Sequence, residues 1–502
     1  MHADPTTGED VQESPQPETA REGPLRRKAL VAGLWLAVQN LYGNVGSAVA
    51  FLVLARLIAP SKFGLAALAQ SVISIVMLLA DLGVMPSLMR APELSEETLN
   101  TGFWLGLGIS LSMCGVLEAI APLIASWFQQ PELSVILRVV AVTVPVMGLC
   151  AVPTVLLSRE LQMRPQAVRQ VVGVTIATVG AIALAVAGFG VWSLVFQDFG
   201  TVATDCLILW LMISWRPRLH FAPREARRLL GFGYQVTLTQ LVNQSQDRIA
   251  QLLIGKLLGT TMLGLWVVAA QIAQMVLTMF ASTVNAVALP AFAIVQNDRA
   301  RLARAIRHSV RICGSVAIPG MTALAAISPM LIPLLFGQRW HTTGTLAQIT
   351  CITAAFSAVQ YIDGNIWWAL GKPRVELGLV SVTTAAHLAL VWLFAPYGVI
   401  AIALAVLGRT LLSSALRLTT LTRVGGIPLS CYRDVPAIMI CSAVMYGVMR
   451  GLSATLGHGP AAPMIVAEVA AGAAAYLGCG LVLQRGSLVE MRNDAVSIMR
   501  SR

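Results

Sequence analysis

The chain has 502 residues, of which 56% are hydrophobic and only 12% are charged. The charged share is about half that of an average globular protein, and a soluble domain could not bury so much apolar surface. This composition excludes a soluble enzyme, a nucleic-acid-binding domain, a fibrous protein and a disordered chain. At roughly 20 residues per bilayer-spanning helix, the apolar residues suffice for about 14 spans. The net charge of +11 is typical of Lys and Arg gathered on the cytoplasmic side of a membrane protein.

The two ends of the chain differ from the rest. Residues 1–28 hold four prolines, six acidic residues and a basic cluster at 26–28, which is typical of a disordered cytosolic tail. The apolar run from Ala29 to Ala55 is too long for the apolar part of a signal peptide and is predicted to be the first transmembrane helix. Residues 486–502 are predicted to form a second cytosolic tail.

Fourteen apolar segments predict fourteen transmembrane helices. The predicted spans are 30–55, 64–88, 103–127, 134–157, 168–188, 191–213, 234–257, 263–289, 310–336, 345–369, 376–395, 398–418, 435–453 and 462–484. The breaks at 188–190 and 395–398 decide the count most, because each divides a run that is too long for one helix. Twelve or thirteen spans are the alternatives.

An even number of spans places both termini on one side of the membrane. If that side is cytoplasmic, 27 of the 35 Lys and Arg lie in inner segments or near the inner ends of spans, and 5 lie in outer loops or near the outer ends of spans. The other three, Arg138, Arg248 and Arg409, lie within spans. The positive-inside rule therefore predicts cytoplasmic N- and C-termini.

An internal repeat appears at an offset of 200 residues. Residues 55–65 align with 255–265, and seven positions between 46 and 76 are identical to their counterparts. The copies start six helices apart and therefore have the same orientation, which predicts two lobes related by an axis along the membrane normal. The predicted fold is an all-α polytopic membrane protein with two six-helix lobes in parallel repeat and two extra C-terminal helices. Its predicted parts are the tail 1–28, an N-terminal lobe 29–214, a basic cytoplasmic linker 215–233, a C-terminal lobe 234–424, helices 13 and 14 at 425–485, and the tail 486–502.

Two inner segments, 214–231 and 296–311, are long and each carries five arginines. In the second, Leu302, Ile306 and Val310 recur every four residues and form an apolar stripe. Such a stripe opposite arginines is typical of an interfacial helix on anionic membrane lipids. The alternative is charge at a helix end that fixes the topology.

Catalytic signatures are absent from the sequence. There is no GxGxxG, Walker A or HExxH motif, and no two of the six histidines lie within 30 residues of each other. We therefore expect a membrane transporter and not an enzyme, with no catalytic residue, cofactor or metal site, and no nucleic-acid partner.

Ionisable residues inside the predicted spans are the candidate functional groups. Each costs roughly 2.5–3.5 kcal/mol to insert and is expected to face a partner or a wet cavity. They are Asp81, Glu118, Arg138, Asp198, Asp205, Asp247, Arg248, Asp363, Arg409 and Glu468. Arg138 and Arg409 are candidates for binding phosphate by bidentate hydrogen bonds, with structural pairing to a buried acid as the alternative.

The seventh predicted helix is the most polar. At 100° per residue one face carries Gln240, Asn243, Gln244, Asp247 and Gln251. This stripe is predicted to line a cavity or, alternatively, to form hydrogen bonds between helices. Asp247 and Arg248 could also compensate each other locally. Arg56 and Lys256 lie at equivalent ends of the first and seventh helices, where snorkelling is the alternative to ligand binding.

Several strings resemble polysaccharide transporters of the Wzx type, in the flippase superfamily that also contains multidrug and lipid II exporters. They are residues 54–64, 99–104, 158–161, 188–194, 215–218, 336–340 and 371–374, which follow the order of that family. The long acidic, proline-rich N-terminal tail departs from its pattern.

The resemblance implies a flippase of the bacterial cell inner membrane. Such a protein moves an undecaprenyl-diphosphate-linked oligosaccharide to the outer leaflet for exopolysaccharide, capsule or O-antigen synthesis, and a proton or sodium gradient is usually its driver. Its implied partners are this lipid-linked substrate, a polysaccharide polymerase and glycosyltransferases. The substrate-contact candidates are Arg56, Arg138, Asn243, Gln244, Asp247, Arg248, Lys256 and Arg409, and the ion-coupling candidates are Asp81, Asp247 and Asp363. The alternatives are a cation-coupled small-molecule exporter and a non-transporting scaffold of a polysaccharide synthesis complex.

Overall fold

The computed structural model describes residues 42–43, 45–91, 94–159, 163–295, 299–360, 366–367, 370, 372–456 and 461–483. Within these ranges the regular structure is helical and no β-strand occurs, so the predicted all-α class is confirmed. The first half contains α1 (Val45–Leu57), α2 (Pro60–Asp81), α3 (Val84–Arg90), α4 (Glu96–Phe128), α5 (Pro131–Ala141), α6 (Thr143–Arg159), α7 (Met163–Val186) and α8 (Val191–Met212). The second half contains α9 (Pro223–Val295), α10 (Arg299–Phe336), α11 (His341–Gln360), α12 (Pro373–Phe394), α13 (Val399–Arg423), α14 (Val435–Leu456) and α15 (Ala461–Leu483).

Eleven stretches of the described chain are long and apolar enough to cross a membrane. The predicted spans 234–257 and 263–289 both fall within α9, where two helices meet at a kink at Gly259, whose φ of 84° and ψ of 172° are not helical. The first predicted span corresponds to the shorter apolar helix α1, and its residues 30–41 lie outside the described ranges. Helix α11, in the predicted span 345–369, is not among the eleven. The count of fourteen therefore stays a prediction.

Residues with positive φ angles, mostly glycines, mark several helix ends. Gly188 and Gly190 have φ of 86° and 58° and separate α7 from α8 where the sequence predicts a break. This region of backbone space is readily open only to glycine. The predicted span 64–88 is divided after Asp81, where Leu82 and Gly83 have φ of 36° and 67°, into α2 and α3.

The two repeated segments contact each other. A Cβ atom on Gly64 would lie 1.7 Å from the carbonyl oxygen of Thr260, and one on Gly264 would lie 1.9 Å from that of Pro60. Residues 60 and 64 are the equivalents of 260 and 264 in the repeat, so each helix presents the same surface to the other, as across a twofold axis. This is the arrangement that a parallel repeat requires. We call these four residues the outer contact, since the positive-inside rule predicts them outside.

The junction of α2 and α3 and the start of α3 also contact α9, near the opposite membrane face. A Cβ atom on Gly233 would lie 2.2 Å from the carbonyl oxygen of Leu82, and one on Gly83 would lie 2.3 Å from that of Gly233. The Ser87 hydroxyl donates a hydrogen bond of 2.9 Å to the carbonyl oxygen of Leu229. We call this set the inner contact. Helix α9 is thus packed on the N-terminal half of the bundle at two places, near Gly233 and just after the kink at Gly259.

Residues 299–311 of the second basic segment are part of helix α10. Ile306 and Val310 are buried, with 0% and 1% of their surface exposed, in a core that includes Leu421 and Cys431. The side chain of Leu302 lies outside the described residues. The apolar stripe packs against protein, so the interpretation as an interfacial helix on lipid is wrong and the charges mark a helix end. Arg307 accordingly forms an ion pair with Asp434, with Nε 3.0 Å from Oδ2.

Candidate functional site

Two adjacent charged residues of α9, Asp247 and Arg248, interact with charged residues in both halves of the bundle. Arg248 acts electrostatically on Asp198 of α8. Its chain neighbour Asp247 acts on His387 of α12 and on Arg409 of α13. The adjacent acid and base thus have separate partners on different sides of α9, which argues against a locally compensated pair. These five residues are called the central charge cluster below.

On the N-terminal side of the cluster, the side chain of Asp198 is exposed. Arg248 is half-buried and makes no ion pair within 4 Å to any residue that the structure describes.

On the C-terminal side, two nitrogen atoms lack hydrogen-bond partners. Arg409 reaches the carbonyl oxygen of Thr383 and the hydroxyl of Thr410 at 3.4 Å each, which is long for a hydrogen bond. Its Nε atom and Nδ1 of His387 are buried and have no partner among the described residues. His387 itself is only 4% exposed. The unused N–H donor of the Arg409 guanidinium is suited to an anionic ligand.

The predicted polar stripe of α9 divides into two parts. Gln244 and Asp247 are exposed, and Gln244 donates a hydrogen bond of 2.9 Å to Gln240 one turn earlier in the same helix. Gln251 instead accepts a hydrogen bond of 2.8 Å from Ser71 of α2. The first part therefore fits cavity lining and Gln251 fits interhelical bonding. The side chain of Asn243, between them, lies outside the described residues.

Three other substrate-contact candidates lie away from the central charge cluster. Lys256 donates to the carbonyl oxygen of Trp127 and lies 5.2 Å from the centre of its ring. Arg56 donates to the carbonyl oxygen of Leu335 at 3.4 Å. Arg138 lies 3.8 Å from Glu118, and both side chains are about half exposed. For Arg138 the structural pairing is thus observed.

A second polar site lies within the N-terminal lobe. A cavity of about 260 Å³ is lined by Asp81 together with Arg169, Asp205 and mostly apolar residues. Nε of Arg169 lies 2.9 Å from Oδ1 of Asp205, and the arginine side chain is only 10% exposed. Asp81 accepts a long hydrogen bond of 3.4 Å from the backbone N–H of Met85. The third ion-coupling candidate, Asp363, lies outside the described residues.

Sequence reasoning missed Arg169 and His387. Arg169 is the second residue of the predicted span 168–188 and was assigned to the cytoplasmic loop charge. An acid inside a span needs a cation, so Asp205 was the signal that could have identified it. His387 was taken as neutral and left out of the in-span charges, although it is an ionisable residue in the middle of the predicted span 376–395.

The bundle has the fold of known flippases and transporters. It is similar to a solved structure of the lipid II flippase MurJ in an inward closed conformation, with a TM-score of 0.73 and 14% identity over 91% of this chain and 100% of that one. It is also similar to an inward-facing multidrug resistance MATE family transporter of the MOP superfamily, with a TM-score of 0.61 and 16% identity over 79% and 98%. The chain is therefore a polytopic membrane protein with the fold of these two solved structures.

The family is shown by sequence. Residues 53–344 match the family described as polysaccharide biosynthesis protein, and the chain belongs to this family. A relative from Rhizobium meliloti, the succinoglycan biosynthesis transport protein ExoT, is 26% identical over 66% of this chain and 69% of its own length. The lipopolysaccharide biosynthesis protein WzxC of Escherichia coli is 23% identical over 70% and 72%. The teichuronic acid biosynthesis protein TuaB of Bacillus subtilis is 22% identical over 79% and 83%.

Proposed function

We propose that this protein is a flippase that moves an undecaprenyl-diphosphate-linked oligosaccharide from the inner to the outer leaflet of the bacterial inner membrane. The names of its relatives, which act in succinoglycan, lipopolysaccharide and teichuronic acid biosynthesis, support this proposal. Both termini are cytoplasmic in this proposal, and the substrate comes from glycosyltransferases and passes to a polymerase.

The observation that carries the proposal is the pair of arginines in the central charge cluster. A diphosphate carries about two negative charges, which a low-dielectric core tolerates only beside cations. Arg248 and Arg409 lie inside the bundle and make no close ion pair with another described residue. Each can therefore turn its planar donors toward phosphate oxygens, a geometry that favours bidentate binding. Gln244 and the exposed part of the stripe then face the sugars.

Asp198 and Asp247 give the cluster a means of coupling to an ion. They balance Arg248 and Arg409 when no substrate is bound. A diphosphate that binds an arginine leaves the carboxylate without its nearby positive charge, and the carboxylate then more readily takes up a proton or a cation. Asp247 is the first candidate for this role, because its charge acts on both Arg409 and His387. Asp81 in the N-terminal cavity is the second.

Alternating access in this bundle requires the contacts of α9 with α2 and with the junction of α2 and α3 to open in turn. The outer and inner contacts are both backbone-to-backbone approaches through glycine. Opening one contact while the other stays closed would expose the central charge cluster to one side of the membrane at a time.

The N-terminal cavity is the observation that favours the alternative of a cation-coupled small-molecule exporter. It is enclosed mostly by apolar side chains and contains Asp81 and Asp205. Its volume of about 260 Å³ is below the ≈ 300–1,000 Å³ of most ligand pockets. The cavity is too small for a drug-sized molecule, so this site is better suited to an ion.

Leaflet-resolved labelling of lipid-linked repeat units tests the proposed function. Cells that depend on this protein should accumulate the repeat units on the inner leaflet when Arg248→Gln and Arg409→Gln are combined. Arg138→Gln combined with Lys256→Gln is the matched control, because it also removes two positive charges, at sites that already have partners. Unchanged flipping by the double variant at normal abundance would overturn the cationic-site proposal and favour the exporter.

The proposed orientation has its own test. Cysteines introduced at residues 10 and 495 should resist a membrane-impermeant thiol reagent in intact spheroplasts and react after permeabilisation. Labelling of either residue from outside would refute cytoplasmic termini and reverse the assignment of the outer and inner contacts.

A further inference from the structure

We propose that a groove between α4 and the first turns of α9 binds an anionic phospholipid, with its phosphate at Arg224 and Arg227 and an acyl chain along the apolar floor. The open groove has a volume of about 560 Å³. Its lining includes Leu105, Phe221, Ala226, Arg227, Leu230 and Tyr234. It is separate from the central charge cluster, because the 21 residues from Arg227 to Arg248 span about 30 Å of helix.

The groove has unusually exposed apolar side chains beside it. Leu219 is 90% exposed, Tyr234 is 56% exposed and Phe221 is 50% exposed. Large apolar side chains gathered on one surface mark an interaction site. Contact with lipid would remove all three from water.

The exposure belongs to a segment that is held in place. The backbone N–H of Arg218 donates a hydrogen bond of 2.6 Å to the Asn100 side chain, and that of Ala222 donates one of 3.1 Å to the Thr101 hydroxyl. The Trp104 indole donates a hydrogen bond of 2.8 Å to the carbonyl oxygen of Arg218. The N-terminal part of α4 therefore holds in place the loop segment that contains Leu219 and Phe221.

The arginines beside the groove are not equivalent. Arg224, Arg227 and Arg228 are all exposed. Arg228 is paired with Glu225, with Nη2 2.8 Å from Oε2. Arg224 and Arg227 form no ion pair with any residue in the described ranges. Two unpaired cations at the N-terminus of a long helix favour a phosphate group, which the helix dipole also stabilises.

The depth of the groove indicates a bilayer lipid and not a soluble anion. Leu105 is the third residue of the predicted span 103–127, and Tyr234 is the first of the predicted span 234–257. Both therefore lie where acyl chains begin. Arg224 and Arg227 precede Tyr234 by three and two helical turns, at the level of the head groups. Basic residues at that level attract anionic lipids.

Lipid binding to the purified full-length protein tests this inference. The probes are phosphatidylglycerol and phosphatidylcholine, titrated into delipidated protein and counted as bound adducts by native mass spectrometry. We expect phosphatidylglycerol to bind the wild type at least tenfold more tightly than phosphatidylcholine. R224Q/R227Q should lose this tenfold preference, whereas the matched control R228Q should keep it within twofold, because Arg228 is already paired with Glu225.

A second variant tests the apolar floor without changing charge. Gly231 lines the groove, and a Cβ atom added there meets no atom within 4 Å. G231L should therefore fill the groove, keep the thermal unfolding temperature and weaken phosphatidylglycerol binding several-fold. The inference is overturned if R224Q/R227Q and G231L bind phosphatidylglycerol like the wild type, if R228Q loses as much as R224Q/R227Q, or if undecaprenyl diphosphate displaces phosphatidylglycerol from the groove.

Discussion

Two pairs of cations, which the sequence makes equal candidates for holding a diphosphate, occupy different environments. Arg56 and Lys256 lie beside the outer contact and donate to backbone carbonyl oxygens of neighbouring helices. Arg248 and Arg409 lie in the central charge cluster, where side-chain carboxylates balance them from a distance. The outer pair thus already donates to the protein backbone, whereas the central pair has no close carboxylate partner and Arg409 has an unused donor. We therefore expect the central pair to bind the anionic ligand.

The largest effect is therefore expected at the central pair. Loss of one partner in a desolvated charge contact costs roughly 2–5 kcal/mol, so Arg248→Gln or Arg409→Gln should each lower the flipping rate by about 30-fold or more. The measurement is the rate of appearance of labelled repeat units in the outer leaflet, normalised to protein abundance.

The Lys substitutions sharpen this result. An arginine that acts only as a charge should tolerate Arg→Lys, whereas a bidentate contact should fail as both Lys and Gln. Wild-type rates for all four single variants would remove the distinction between the central and the outer cations.

The next largest effect is expected from a wedge in the outer contact. A Cβ atom on Gly64 would overlap the carbonyl oxygen of Thr260 at 1.7 Å, so Gly64→Val must separate α2 from α9. We expect a fall in thermal stability of several degrees, equivalent to about 1–3 kcal/mol of overpacking, and faster labelling of a cysteine placed at Ala59. The control is Gly108→Ala in α4, where an added Cβ meets no atom within 4 Å. Equal stability of the two variants would show that the outer contact does not hold the lobes together.

A smaller effect is expected at Lys256, because its partners are a carbonyl group and an aromatic ring. Lys256→Gln should cost about 1 kcal/mol of stability from the lost hydrogen bond and cation–π contact. Flipping should stay within threefold of the wild type. A loss as large as that of Arg248→Gln would place the outer cations on the substrate path and contradict the comparison.

The sequence predicted the positions of the helices well, but it did not predict which charged side chains interact. Long apolar runs fix where a bilayer helix must lie, and glycines such as Gly188 and Gly190 mark breaks through their backbone freedom. The junction at Gly259, where the sequence predicts a break, has φ of 84° and ψ of 172°, which are not helical, so two helices meet there at a kink. Adjacency of Asp247 and Arg248 could not reveal that their side chains meet different helices, because that depends on how α8, α12 and α13 pack around α9.

The smallest effect is expected at Arg138, which lies within a predicted span, as Arg248 and Arg409 do. Its Nε lies 3.8 Å from Glu118, and both groups are about half exposed, at 50% and 41%. An ion pair this long and this accessible contributes roughly 0–1 kcal/mol. Arg138→Gln should therefore leave flipping within twofold and thermal stability within about two degrees, which corresponds to less than 1 kcal/mol. The pairing itself is checked by Glu118→Gln, since Arg138→Gln in that background should add no further change. A tenfold loss of flipping in Arg138→Gln alone, with normal protein abundance, would mean that the half-exposed pair opens during transport. The cations on the substrate path would then include Arg138, at the contact between α4 and α5.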